Sequence, residues 1–212
     1  MKVVIINGSP RKNGNTARLS EAFQAGVLSA SIDNEVVQYF LPSLTYKGCQ
    51  SCFSCKLKDG KSYGKCAMND QLTPILADIL NADCLVVATP IYLMDATSST
   101  KAFLERLGFS LGSYEQAYRS LAPKKLDVVT IYTMNTTPEY QPQNAMDNVD
   151  MFLGHIFSKP RRLCSYNTYQ FSNYSKYVVE VFDEAEKALY RDQNFQKDLD
   201  SAYALGKIIA EG

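Results

Sequence analysis

Short apolar runs alternate with helical spacing along most of the chain, and that rhythm leaves few architectures open. Residues 2–6, 35–41, 84–88 and 126–132 are rich in β-branched or aromatic side chains and too brief for helices. A fifth such run lies within 163–171. Helical spacing covers 16–30, 71–80, 99–107 and 144–157, with Asp70 placed to cap the second of these and Gly108 expected to loosen the end of the third. A last helical pattern extends from 178 to 210, with a break expected near Asn194. The run Cys84-Leu85-Val86-Val87-Ala88 is apolar at every position, as in a strand covered on both faces of a parallel sheet. Strands alternating with helices imply right-handed crossovers and helices on both faces. Five strands fit an α/β three-layer sandwich of flavodoxin-like order 2-1-3-4-5 better than the longer dinucleotide-binding sheet. In that order a ligand sits beyond the strand C-termini, so the loops after strands one, three and four are the ones that matter.

The 212 residues suit one such domain, with a polar, cysteine-rich insertion at about 45–70. The formal net charge is zero, which gives no footprint for nucleic acid or an anionic membrane. No apolar run approaches membrane-spanning length, and Met1 leads straight into the first strand, so a cytoplasmic protein is expected. In that setting the six cysteines point to thiols or metal ligands rather than a disulfide framework.

After the first run the chain reads Asn7-Gly8-Ser9-Pro10-Arg11-Lys12-Asn13-Gly14-Asn15-Thr16. A strand, a loop of small hydrogen-bonding residues and a helix N-terminus form a cradle for phosphate, because backbone N–H groups and the positive helix end face the anion. Ser9, Asn13, Asn15 and Thr16 add side-chain donors, and Arg11 and Lys12 add charge. The loop matches neither G-x-x-x-x-G-K-[ST] nor G-x-G-x-x-G, which argues against a triphosphatase or a dinucleotide fingerprint and favours a phosphate monoester. An ordinary strand-to-helix loop is the alternative. After strand three, Pro90 stiffens the exit, Tyr92, Leu93 and Met94 offer flat apolar surface, and residues 97–100 offer hydroxyls at a helix start. A planar heterocycle fits there, as does a plain turn with Tyr92 packed into the core.

The Gly8–Thr16 loop, Pro90-Ile91-Tyr92 and Lys101-Ala102-Phe103-Leu104-Glu105-Arg106 together resemble the NADPH-dependent FMN reductase and iron-sulfur flavoprotein family, from strand one through strand four. The resemblance implies that Ser9, Arg11, Asn13, Asn15 and Thr16 hold the FMN phosphate. It further implies that Pro90, Ile91, Tyr92, Leu93, Met94 and Thr97 hold the isoalloxazine ring and ribityl chain, and that Thr133, Met134 and Asn135 cover the ring from the other side. This chain departs from its relatives at Met94 and Ser98, where many have glycine, and at Ala96, where many have methionine. The loop after strand four also lacks the usual glycine.

Cys49-Gln50-Ser51-Cys52-Phe53-Ser54-Cys55 is C-x2-C-x2-C, and Cys66 follows after a gap of ten residues. Three thiolates at this spacing can wrap one face of an iron–sulfur cubane, with a distant fourth closing it. Iron-sulfur flavoproteins carry such a run between strand two and helix two, with a shorter last gap. Ala67 stands where the bacterial ferredoxin pattern has proline, and a zinc site more often shows two separate C-x2-C pairs. A [4Fe–4S] cluster, free or oxidised thiols, and zinc therefore all stay open. Lys56, Lys58, Lys61 and Lys65 surround the run, opposed by Asp59. Cys84 and Cys164 lie in strands and read as small buried hydrophobes. His155 is the sole histidine, which weakens any hydrolase reading, and no nucleophile elbow is present.

The expected function is an FMN-dependent oxidoreductase passing electrons from NAD(P)H to a quinone, free flavin, metal ion or protein. The cofactor carries the chemistry, so no catalytic acid or base is assigned. The alternatives are an FMN/[4Fe–4S] electron carrier between proteins and a flavin-free thiol-sensing or regulatory domain. The relatives imply a homodimer or homotetramer.

Overall fold

A computed structural model describes residues 1–212. Five parallel strands form one sheet: β1 (Lys2–Asn7), β2 (Glu35–Phe40), β3 (Cys84–Tyr92), β5 (Asp127–Thr133) and β6 (Arg161–Ser165). A two-residue strand, β4 (Asp95–Ala96), folds back antiparallel on the end of β3. The order is β2-β1-β3-β5-β6, which is the expected 2-1-3-4-5 once β4 is set aside. The five α-helices are α1 (Asn15–Ala30), α2 (Thr73–Asn81), α3 (Ser98–Leu111), α4 (Gln143–Ile156) and α5 (Glu184–Glu211).

Alternation along the central strands decides which helix packs where. Val4, Ile6, Leu85, Val87 and Val128 join one core with Ile75 and Ile79 of α2, Phe103 and Leu107 of α3, and Val149 and Leu153 of α4. Val3, Ile5, Val86, Ala88 and Ile131 join the other with Leu19, Phe23 and Val27 of α1 and Phe195, Ala202 and Ile209 of α5. Since both faces are covered, β3 is buried at every position from Cys84 to Pro90, which explains its unbroken apolar run. Register pairs Val3 with Cys84 and Cys84 with Asp127, so the C-terminal ends of β1, β3 and β5 emerge together. No helix is long and apolar enough to cross a membrane.

Three local expectations change. The last helix starts at Glu184 rather than 178 and runs unbroken through Asn194. The Asn194 side-chain amide donates to the Tyr190 carbonyl at 2.9 Å, so its polar group supports the helix instead of ending it. α3 continues past Gly108 to Leu111; the bare Cα at Gly108 serves packing instead, since a Cβ there would stand 2.0 Å from the Phe152 ring of α4. The second helix starts at Thr73, where Pro74 suits the first turn. Asp70 accepts the Leu72 N–H at 3.1 Å but spends both carboxylate oxygens on Arg106.

Candidate functional site

β1 ends in a chain of small turns. The Asn7 carbonyl oxygen of the side chain accepts the Ser9 N–H at 2.9 Å, and the Ser9 hydroxyl accepts the Arg11 N–H at 3.2 Å. Gly8 donates its N–H to the Ala88 carbonyl at 2.8 Å, which ties the loop to β3. Gly14 then occupies the N-cap of α1, and no side chain caps the helix. The first-turn amides are therefore left for a ligand, with no acidic residue in that turn to compete.

A cavity of about 580 Å³ opens at this helix end. Ser9, Arg11, Asn13, Asn15 and Thr16 form its first wall. Pro90, Ile91 and Tyr92 form the second, and Thr133, Met134 and Asn135 the third. The Thr16 and Thr133 hydroxyls meet at 2.7 Å, joining the first and third walls below the cavity. Asn135 carries a buried Oδ1 with no partner, and the neighbouring Thr136 hydroxyl is likewise unpaired. Uncapped amides and an orphan acceptor on two walls of one cavity suit a molecule with an anionic group and a head bearing N–H groups. The chemistry of these walls fits FMN.

Leu93, Met94 and Thr97 lie outside this cavity. Leu93 and Met94 form the tip between β3 and β4, with φ of +50° and +61°, and Leu93 is fully exposed. Both residues adopt the left-handed region that a two-residue hairpin tip demands. That is the conformation glycine adopts without strain. Thr97 caps α3 instead, accepting the Thr100 N–H at 3.3 Å and donating to the Gly8 carbonyl at 3.0 Å.

The loop after β6 supplies a fourth wall that sequence reasoning missed. Thr168, Tyr169, Gln170, Phe171 and Ser172 line the cavity, together with Arg18 and Arg191. Arg11 donates to the Gln170 carbonyl and Asn15 to the Tyr169 carbonyl, while the Arg191 guanidinium lies 4.4 Å from the Tyr169 ring centre. The segment carries no glycine and no charge, and only its run of aromatic and short polar residues after a strand could have signalled it.

A second site lies at the other end of α3. Cys49, Cys52, Cys55 and Cys66 all line one small cavity of about 20 Å³, so the ten-residue gap closes on the C-x2-C-x2-C run. Ser51 and Phe53 take φ of +52° and +56°, which curls the backbone between the thiols. The Ser54 backbone N–H and then its hydroxyl hold the Cys52 thiol below its ordinary pKa, whereas burial pushes the Cys55 thiol up. No three acidic, histidine or cysteine side chains converge on a single ion position. The donor set nonetheless is four thiols, the set an iron–sulfur cubane requires. Lys56 is no free surface charge: its ammonium caps the C-terminus of α3, reaching the Phe109 and Gly112 carbonyls. Cys84 is buried in the sheet, and Cys164 faces the Met146 sulfur at 3.9 Å, both away from this site. His155 contacts the Tyr118 carbonyl and neither cavity.

The chain belongs to the NADPH-dependent FMN reductase family, whose profile matches residues 1–141. An iron-sulfur flavoprotein of Archaeoglobus fulgidus is 32% identical over 141 residues, covering 66% of this chain and 64% of that protein. A second iron-sulfur flavoprotein of the same organism is 28% identical over 107 residues, covering 50% of this chain and 46% of that protein. The matches thus span about half to two thirds of these relatives' length. An FMN-dependent NADH-azoreductase of Bacillus anthracis, solved in complex with FMN, shares the fold with a TM-score of 0.70 at 11% identity, covering 99% of this chain and all of that one.

Proposed function

We propose that the protein binds FMN in the 580 Å³ cavity and uses it to carry electrons from a reduced nicotinamide nucleotide to an acceptor. The observation that carries this reading is the uncapped N-terminus of α1 opening onto a cavity that continues to Tyr92 and Asn135. The α1 amides, Ser9, Arg11, Asn13, Asn15 and Thr16 hold the phosphate. Tyr92 offers a half-exposed aromatic face for the ring system, and the Asn135 Oδ1 accepts from its polar edge. Bound FMN supplies hydride and single-electron chemistry, so the chain needs no general acid or base. The residues bind, orient and desolvate. The acceptor is a quinone, a free flavin, a metal ion or a protein.

The reading is checked by loading the protein with FMN and adding NADPH or NADH without oxygen. The flavin absorbance is expected to bleach with at least one of them and to return when a quinone is added. Tightly bound FMN that neither nucleotide reduces would contradict a reductase.

The presence of four cysteines in the lining of one cavity favours a second role for the same chain, as a flavoprotein that also holds an iron–sulfur cluster through Cys49, Cys52, Cys55 and Cys66. The cavity is smaller than a cubane, so the segment would have to open outward around it. Reconstitution with iron and sulfide under reducing conditions is expected to give about four iron per chain. Loss of that iron in a Cys66→Ser variant would assign the fourth ligand.

A further inference from the structure

Arg106 is the largest side chain wholly shielded from solvent, in the middle of α3 and among residues that face the core. A buried guanidinium is costly unless its charge and its N–H groups are all met, so this one calls for a reason. Its partners give one. Nε donates to the Cys66 sulfur at 2.8 Å, and one terminal nitrogen donates to the Lys47 carbonyl at 2.9 Å and to Asp70 Oδ2 at 2.7 Å. The other terminal nitrogen reaches Asp70 Oδ1 at 3.3 Å. Every partner belongs to the cysteine segment, and they come from both of its ends. Lys47 lies just before Cys49, Cys66 is the fourth cysteine, and Asp70 lies just beyond it.

The neighbours of Arg106 on α3 serve the same segment. Glu105 accepts the Cys49 N–H at 3.1 Å, and the helix C-terminus receives Lys56. The run of three cysteines is thus fastened at its start and finish. Cys66 has no such help from local spacing, because ten residues separate it from Cys55. An Asp70 carboxylate alone would neutralise the guanidinium; the Nε–H directed at sulfur is an additional commitment.

We propose that Arg106 is the positioning residue of the cysteine site: it closes the segment on itself, delivers Cys66 as the fourth thiol, and donates a hydrogen bond to that sulfur in whatever iron–sulfur or soft-metal complex the thiols form. The part concerning a bound cluster rests on the second role given above; the delivery of Cys66 does not. An N–H···S hydrogen bond from a cation stabilises the more negative, reduced state of a cluster.

The test uses Arg106→Gln, Arg106→Lys and Asp70→Asn in the full chain. In metal-free protein, alkylation of Cys66 is followed by mass spectrometry, with FMN affinity as the control for folding. Cys66 is expected to react roughly tenfold faster in Arg106→Gln, as a locally opened segment would. Asp70→Asn keeps the sulfur donor and is expected to change the rate less than Arg106→Gln. Should Arg106→Gln fail to fold, Arg106→Lys carries the same comparison, since lysine keeps the charge but cannot reach three partners at once. In reconstituted protein at equal iron content, the reduction potential is expected to fall in the Arg106 variants, an effect that a purely structural ion pair would not produce. Equal Cys66 alkylation in wild type and the Arg106 variants, with FMN affinity intact, would overturn the proposal. Faster Cys66 alkylation in the Arg106 variants, alongside a wild-type protein that takes up no iron, would uphold the delivery of Cys66 and sink only the cluster.

Discussion

Gly8→Ala is expected to weaken FMN binding by roughly 100-fold, the equivalent of losing one or two charge-assisted hydrogen bonds to the phosphate. A Cβ on Gly8 would stand 1.9 Å from the Thr100 hydroxyl and 3.1 Å from that of Thr97. Neither hydroxyl can simply rotate away. Thr97 donates to the Gly8 carbonyl at 3.0 Å, and Thr100 donates to the Thr89 hydroxyl at 3.0 Å, all inside the buried junction of three loops. Relief therefore comes either from breaking these bonds or from moving the loop off β3. Moving the loop shifts the Ser9 to Asn13 donors relative to the α1 amides, and a phosphate cradle tolerates little of that. Overpacking of this kind also costs about 1–3 kcal/mol of stability. Isothermal titration with FMN beside a thermal melt separates the two effects. A dissociation constant within twofold of wild type would show that the loop geometry does not set affinity.

Gly206→Ala is expected to produce the largest loss of stability, about 2–3 kcal/mol net, or a fall in Tm of roughly 5–10 °C for a chain of this size. α1 and α5 cross with their backbones almost touching. A Cβ on Gly206 would lie 2.1 Å from the Phe23 carbonyl oxygen, and one on Gly26 would lie 2.0 Å from that of Tyr203. Backbone cannot swing aside as a side chain does, so the helices must separate. Separation loosens Phe23, Val27, Ala202 and Ile209 over the sheet. Alanine ordinarily gains up to about 1 kcal/mol over glycine within a helix, so the contact must outweigh that gain. Gly154→Ala in α4 supplies the contrast. Its added Cβ meets nothing closer than 3.6 Å, so propensity alone should act and Tm should rise slightly. Equal responses at the two glycines would mean that the α1–α5 approach carries no energetic weight.

Much of the architecture was readable because the governing signals are local. The apolar run at Cys84–Ala88 needs two covered faces, and β3 has them. The small-residue loop before Asn15 signals a helix end open to an anion, and α1 begins there uncapped. The missing pieces depend on partners distant in sequence. Arg106 sits within a helical motif, and nothing local shows that it reaches Lys47, Cys66 and Asp70. The loop after β6 meets the phosphate loop through Arg11 and Asn15 although β6 stands three places from β1 in the sheet, so its place in the cavity follows from long-range contacts rather than from a motif. Thr97 has the hydroxyl that a ring-binding loop calls for, yet the fold uses it to cap α3 and bind Gly8. Composition alone cannot distinguish those uses.

α3 also relates the two sites. Its cap touches the Gly8 loop, and Arg106, nine residues later, touches Cys66. At 1.5 Å per residue that separation is roughly 14 Å along one rigid rod. Changes to the phosphate loop and to the cysteine segment should therefore be separable by mutation even though one helix supports both.

The proposed anchor of the FMN phosphate is the N-terminus of α1 together with the Asn15 and Thr16 side chains. Fluorescence titration of FMN into wild type and into an Asn15→Ala/Thr16→Val variant tests it most directly, with a thermal melt confirming that the variant is folded. Saturable quenching by wild type at one FMN per chain is expected, with an affinity roughly 100-fold weaker in the variant. Equal affinity in the two proteins would contradict the proposed anchor.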